Sequence, residues 1–571
     1  MKKTIVLIFV IVDLVIAAVA VGGYLFVQYS AEKQVKQVLD SLPGVAKSAY
    51  GDVDYSVFSK RLVVSNVVLD LEKTGGPEKA EIQSLEILKP NLDRLENFLA
   101  AGQEQGEQQL AESLTVTKLS LYDQSKALTL DRYMVADLKM APWPLPPSTP
   151  AGEITAEKNL PLLALAVSAA KVEADNLLFQ DKVKGRPILA LTSLRIGGLG
   201  GGRISDLDMK GLKIVSPEED GEFDIEAVTG RNLDYSKALE TLSQETPPTV
   251  PTGLVKFDQV RMTGLVFNTP KTGQVKMQEV SLSNYKLKGQ IPVSFLFDLK
   301  GLEIPAGQLK SAQTKAVLEQ LGYDRIMLNF TLDYLWDEAI KQLALKKVSL
   351  GADQAAEITL SVAVEGVDLS TISQPGEAAM ALSAALLKRA EIRYTDASLA
   401  EKALKVAAQT QGMDPEQFRE VLIQQVAGQK EAFGSSPAAA QALDAVTAFL
   451  KEPRKLTILI EPPAPVPLMM IAGQAKTSPD QLAEILGISV TANDEVPPAA
   501  PAPVSTPAPA TAPTPGSAPA PAAPPAPAPE PAPAPETVQP ETPPPAPPGP
   551  GQPEELKAKP LKDLPFKPKS E

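Results

Sequence analysis

Three stretches of the chain write one phrase: "DMKGLKI" (208–214), "RMTGLVF" (261–267) and "DLKGLEI" (298–304). In each, apolar residues alternate up to a glycine, and the alternation then resumes one residue out of phase. Period-2 alternation places its apolar residues on one face of a strand. A slip of one residue would turn that face over unless the strand bulges at the slip, and glycine supplies the positive φ that such a bulge asks for. The spacing therefore predicts strands kinked at Gly211, Gly264 and Gly301, with one apolar face kept through the kink. "VEGVDL" (364–369) reads as a fourth, degenerate copy. Serial kinked strands predict a long, curved antiparallel sheet with one apolar face. Either helices or a second sheet cover that face, or part of it stays open as a groove for acyl chains.

The rest of the chain fits an α+β fold. "SVFSKRLVVSNVVLDLE" (56–72), "AEIQSLEILKP" (80–90), "LTVTKLSLYD" (114–123) and "ALTLDRYMVADLKM" (127–140) read as strands. "NLDRLENFLAAGQEQGEQQLAESL" (91–114) reads as a helix, with Asn91 as its cap. Residues 325–369 mix strands with a helix around Trp336. Further helices are expected over 306–323 and near 375–390, 397–411, 414–428, 436–451 and 478–487. Asp414-Pro415 and Ser436-Pro437 serve as cap and first-turn pairs. Shifts in composition divide the chain into 1–30, 31–150, 151–305, 306–495 and 496–571.

The N-terminus, Met1-Lys2-Lys3, precedes an apolar run over residues 4–26. As a helix at 1.5 Å per residue it would reach about 35 Å, enough to cross a bilayer core. With Lys2 and Lys3 held on the cytoplasmic side, the rest of the chain lies beyond the membrane. A single transmembrane anchor is the expectation; the rival reading is a leader cleaved after Ala18-Val19-Ala20. Asp13 sits mid-span, where an acid marks either a polar contact within the membrane or one tolerated charge. At the other end, 28 of the chain's 54 prolines follow residue 496. Such a tail cannot build a core and is expected to be disordered or polyproline II. It finishes in a basic cluster, Lys557, Lys559, Lys562, Lys567 and Lys569, suited to an anionic membrane, a wall polymer or a partner protein.

Composition narrows the chemistry. The chain has no His and no Cys, so triads that move a proton through imidazole and Cys/His zinc sites are excluded. A net charge of −14 argues against nucleic acid as a partner. No carboxylate pair stands out for glycoside chemistry, and "GGLGGG" (197–202) lacks the Lys-Ser/Thr of a phosphate loop. No enzymatic activity and no cofactor are expected.

The post-membrane segment "LPGVAKSAYGDVDYSVFSKRLVVSNVVLDL" (42–71), the N-terminal anchor and the serial "GL" strands resemble the AsmA-like proteins, β-rich and anchored in the inner membrane of Gram-negative bacteria. "RYTDASLAEKAL" (393–404) is similar to a motif of related envelope proteins. The resemblance implies a periplasmic location and a part in phospholipid transport or outer-membrane assembly, with no catalytic residues to carry over. The helices of 373–451 and the Pro-rich tail depart from the larger members. The alternative is an anchored scaffold whose tail recruits an envelope partner.

Overall fold

The computed structural model describes residues 39, 45–56, 58–71, 77–91, 106–141, 164–216, 221–242, 255–270, 273–288, 291–309, 311–369, 384–432, 437–477 and 479–493. The chain divides into two compact units, Met1–Val496 and Pro497–Glu571. The apolar run 4–26, Asp13 and the lysines 557, 559, 562, 567 and 569 lie outside the described residues. Among the described residues, no helix is long and apolar enough to cross a membrane.

The described part of the first unit is built on one antiparallel sheet of twenty strands. It starts with β1 (Val45–Ala49) and β2 (Val53–Ser56), which lie end to end on one edge of β3 (Arg61–Leu71). From there each strand pairs with the next in sequence: β4 (Lys79–Leu88), β5 (Gln108–Tyr122), β6 (Lys126–Met140), β7 (Val167–Asp181), β8 (Arg186–Gly200), β9 (Arg203–Val215) and β10 (Glu222–Asp234). Helix α1 (Ser236–Leu242) follows, then β11 (Gln259–Thr269), β12 (Gly273–Lys288) and β13 (Ile291–Pro305). After α2 (Ala312–Gln320) come β14 (Arg325–Asp337), β15 (Gln342–Ala352), β16 (Ala356–Glu365) and β17 (Leu386–Asp396). The ladder runs without a break from β6 to β7 and from β13 to β14, across the composition shifts near 150 and 305.

Parts of three expected helices are strand, and residues 92–105 and 375–383 of two of them lie outside the described residues. Residues 108–114 belong to β5, where Leu110 and Leu114 face the core and Glu112 points away. β6 supplies a ladder along this stretch, joined by β4 at Ser113 and Leu114, and that outweighs the helical preference of Gln, Glu and Ala. Trp336 lies in β14, its indole N–H donating to the Val367 carbonyl at 3.0 Å. Residues 386–390 open β17.

Helices gather at the end of the chain. α3 (Leu399–Thr410), α4 (Pro415–Ala432) and α5 (Pro437–Lys451) precede β18 (Lys455–Ile460). The Asp414 side chain accepts the Glu416 N–H at 2.9 Å and so caps α4, as the Asp-Pro pair foretold. Arg419 on α4 reaches Glu401 on α3 through two bonds of 2.7 and 2.8 Å. α5 packs on β18 and on the last strand, β20 (Ile488–Ala492), which pairs with β18. The Asn493 side chain donates to the Glu452 and Ala448 carbonyls and ties the end of β20 to the end of α5. The short β19 (Val466–Pro467) shares an edge of β17 with β18, and α6 (Leu468–Thr477) and α7 (Pro479–Ile485) follow it.

Two clusters hold the core. The larger gathers one face of β3 to β8 and includes the fully buried Leu39, from the segment ahead of β1. The smaller joins Val364, Leu387 and Ala390 of the sheet to Leu482 and Leu486 at α7.

Candidate functional site

The apolar face of the sheet is the one feature that runs through the whole described fold. Its register is best followed across the strands. One row reads Val64, Leu85, Val116, Tyr133, Ala174, Leu194, Met209, Val228, Met262, Val280, Leu299, Phe330, Leu350, Ile358, Tyr394, Leu456 and Ala492. Each residue is the direct cross-strand partner of the next, from β3 through β18 to β20. The adjacent row reads Leu62, Ile87, Leu114, Val135, Val172, Ile196, Leu207, Gly230, Val260, Leu282, Phe297, Leu332, Val348, Leu360, Ile392, Ile458 and Val490. Neither row contains a charged side chain. At about 4.8 Å between strands, the pair of rows is about 80 Å long.

The glycines of the repeated phrase border these rows. Gly211, Gly264 and Gly301 have φ of 64°, 60° and 62°. They lie on β9, β11 and β13, and the same line continues on β7, β5 and β3 at Asn176, Lys118 and Asn66, with φ of 54°, 50° and 55°. From β3 to β13 every second strand thus carries a left-handed residue at one level. The strands between them pass through Gln83, Asp131, Thr192, Glu226 and Gln278, where the apolar alternation slips in the same place. On the odd strands the wording is apolar-x-left-handed-apolar; on the even strands it is apolar-x-x-apolar, as in Ile225-Glu226-Ala227-Val228. Because both partners slip together, the ladder keeps its register. Lys210 with Ala227 and Leu212 with Ile225 flank Gly211; Thr263 with Glu279 and Leu265 with Met277 flank Gly264. No residue is inserted at either glycine. Only at Gly301 do two residues, with Lys300, oppose one, Asn329, whose side-chain oxygen accepts the Gly301 N–H at 2.8 Å. Gly366, in the fourth phrase, has φ of 79° but follows β16 rather than lying within it.

A second line runs six residues away, on the even strands. Asp137, Gly198, Asn232 and Asn284 on β6, β8, β10 and β12 have φ of 53°, 61°, 50° and 55°. Six residues of strand span about 20 Å. The two apolar rows lie between the two lines, so the sheet has a floor two side chains deep along each strand, creased on both sides from β6 to β12.

Burial along the floor is uneven. Leu62, Val64, Leu85, Ile87 and Leu114 at the β3–β5 end are 0% exposed. Over β11 to β14 the floor is half-buried: Met262, Val280, Leu299 and Phe330 in one row, Val260, Leu282, Phe297 and Leu332 in the other. At β15 to β17, Leu350, Ile358 and Ile392 are 55%, 51% and 40% exposed. On β17 itself, two residues from Ile392, Tyr394 meets Phe449 of α5 edge-on at 5.7 Å, and there cover begins again. Aromatic contacts concentrate over β10 to β14: Phe223 with Phe267 at 4.3 Å, Phe295 with Tyr334 at 5.1 Å and Phe297 with Phe330 at 6.0 Å.

The opposite face carries the charge. Glu173 of β7 meets Lys171, Arg132 and Arg195 at 2.5, 3.4 and 3.5 Å. Glu279 of β12 meets Arg261 and Lys300 at 2.6 and 3.2 Å. Burial would raise the Glu279 carboxyl, but the hydrogen bonds from Arg261 and Lys300 outweigh it and leave it below the usual carboxylate range. Burial pushes the Tyr394 hydroxyl up, and its bond to Asp396, 2.6 Å long, adds to the shift. That tyrosine is a neutral donor at the junction of floor and helices. Among the described residues, no group of three acids could hold a metal ion.

A family model described as "Uncharacterized protein" matches residues 349–493, a quarter of the chain, from the second half of β15 to the end of β20. No curated protein matches the chain.

Proposed function

We propose that this is a membrane-anchored, non-enzymatic protein of the bacterial envelope whose folded part, on the periplasmic side, handles phospholipid by laying acyl chains against the creased apolar floor. The observation that carries the reading is the pair of uncharged rows crossing seventeen strands with their middle not sealed. Each methylene moved from water onto such a surface gains about 0.8 kcal/mol, and a floor without charge asks no headgroup to be desolvated. The apolar run at 4–26, Lys2-Lys3 and the resemblance to AsmA-like proteins support the location and the anchor. Phospholipid handling of this kind serves envelope maintenance or outer-membrane assembly.

The test is extraction of the full-length protein after detergent purification, with bound phospholipid quantified by mass spectrometry. Met262→Glu puts a charge on the half-buried floor and is expected to lower bound lipid at least tenfold while the melting midpoint stays close to that of the parent. Equal lipid in parent and variant would sink the proposal.

The proline count after residue 496 favours a second reading, in which the tail recruits an envelope partner. Deleting 554–571, with its five lysines, then abolishes co-purification of that partner and leaves bound lipid unchanged.

A further inference from the structure

The same two rows of side chains are in three states along their length, and the order of those states gives the floor a direction. At β3 to β5 the rows are sealed, and Leu39, from the segment ahead of β1, is packed fully buried into that end. At β11 to β14 they are half-buried. At β15 to β17 three of their residues, Leu350, Ile358 and Ile392, are open, while Val348, Leu360 and Tyr394 beside them are half-buried. Local burial there is inverted: Ser349, on the polar face, is 4% exposed, whereas its neighbour Leu350, on the apolar face, faces solvent. Leu350 opposes Ile358 and Ile358 opposes Tyr394, while Ile392 opposes Leu360 and Ile458. The three open residues therefore make one contiguous patch rather than scattered exposure. Contiguous apolar exposure on a face whose other row residues are half-buried or buried marks a place where something docks.

We infer that the floor is blind at its N-terminal end and is loaded through a mouth made by Leu350, Ile358 and Ile392, which admits an acyl chain toward the aromatic pairs of β13 and β14. The inference rests on the acyl-binding reading above and adds to it an entry point and a closed end. A chain is favoured over a protein helix as the occupant because the patch has no boundary on one side: Leu350 continues directly into Phe330 and Leu299 in its own row. On the other side the way is barred by Tyr394 against Phe449. An occupant entering at β15 is thus led along the floor in one direction only. It runs out of room where the rows seal, so the floor holds chains rather than passing them through to the N-terminal end.

The experiment uses the full chain in vesicles of phosphatidylethanolamine and phosphatidylglycerol doped with a phosphatidylcholine that carries a photoactivatable diazirine on one acyl chain. After irradiation, labelled peptides are mapped by mass spectrometry. Label is expected on β13 to β16 and not on β3 to β5. Ile358→Arg is expected to cut label on the β13 and β14 peptides at least tenfold. Ile340→Arg, at an exposed turn off the rows, leaves it unchanged. Leu350→Arg repeats the test should Ile358→Arg fold poorly, and the map of the parent decides by itself whether the N-terminal end is closed. Label on β3 to β5 as strong as on β14, or unaltered label in both arginine variants, overturns the inference while leaving acyl binding in place. Cross-linking of the mouth to a protein instead of lipid overturns it too. No label anywhere on the folded part overturns the acyl-binding reading itself.

Discussion

At Gly264 an added Cβ would lie 2.6 Å from the Glu226 Cβ, and at Gly211 2.3 Å from the Thr192 hydroxyl oxygen. Both glycines also hold a left-handed backbone, which β-branched residues resist. Gly264→Val and Gly211→Val are each expected to cost on the order of 1–3 kcal/mol, read as a lower urea midpoint. Gly351→Ala is the control: its φ is ordinary, its new Cβ would sit 3.5 Å from the Glu357 side chain, and its cost should fall within about 0.5 kcal/mol. Unchanged midpoints for both valine variants would remove the crease from the list of things that stabilise the sheet. Glycine is what made half of this line legible. It is rare enough inside strands that three copies in one phrase stand out. The same wording at Val64-Ser65-Asn66-Val67, Val116-Thr117-Lys118-Leu119 and Ala174-Asp175-Asn176-Leu177 does not stand out in the sequence, because Asn and Lys do not mark a left-handed backbone as Gly does. The second line, at Asp137, Gly198, Asn232 and Asn284, has no shared phrase at all.

Among the elements, the strands of the floor look alike in sequence yet differ in what they hold together. Leu114 on β5 is fully buried, and Leu114→Ala should cost about 2–5 kcal/mol through lost transfer energy and an unfilled cavity. Leu350 on β15 occupies the same kind of inward position, but Leu350→Ala removes a side chain already half in water, and its cost should stay below about 1 kcal/mol. Comparable losses at both sites, measured by chemical denaturation, would contradict the gradient of burial. This gradient could not be read from the chain. Alternation tells which face a residue takes, whereas burial depends on what lies over that face, as α5 does beside Tyr394. The helices were legible where caps announce them, as at Asp414-Pro415. The helix expected to run to residue 114 gives way over 108–114, because a seven-residue stretch of Gln, Glu, Ala and Ser with two leucines takes whichever structure its neighbours offer, and β6 offers a ladder.

For the whole first unit, the connectivity is a meander: nearly every strand pairs only with its neighbours in sequence. Stability in such an array is close to a sum of local terms, so different stretches can open at different free energies. Amide exchange followed by mass spectrometry should be slowest in β4 to β7 and distinctly faster in β14 to β16, and uniform protection would argue against it. The antiparallel plan and the α+β class were legible from the strand spacing; the unbroken ladder through residues 150 and 305 was not, since interruptions of composition fall in the connections and leave the pairing intact. The alternation of left-handed and ordinary strands has a last consequence. The repeating unit is a hairpin, one strand of each kind, and it meets only the hairpins before and after it. Duplicating or losing one such unit in the gene would lengthen or shorten the molecule by about 10 Å without disturbing either terminus. Natural selection could then tune this protein like a tape measure, in fixed increments, with the same two ends on every length.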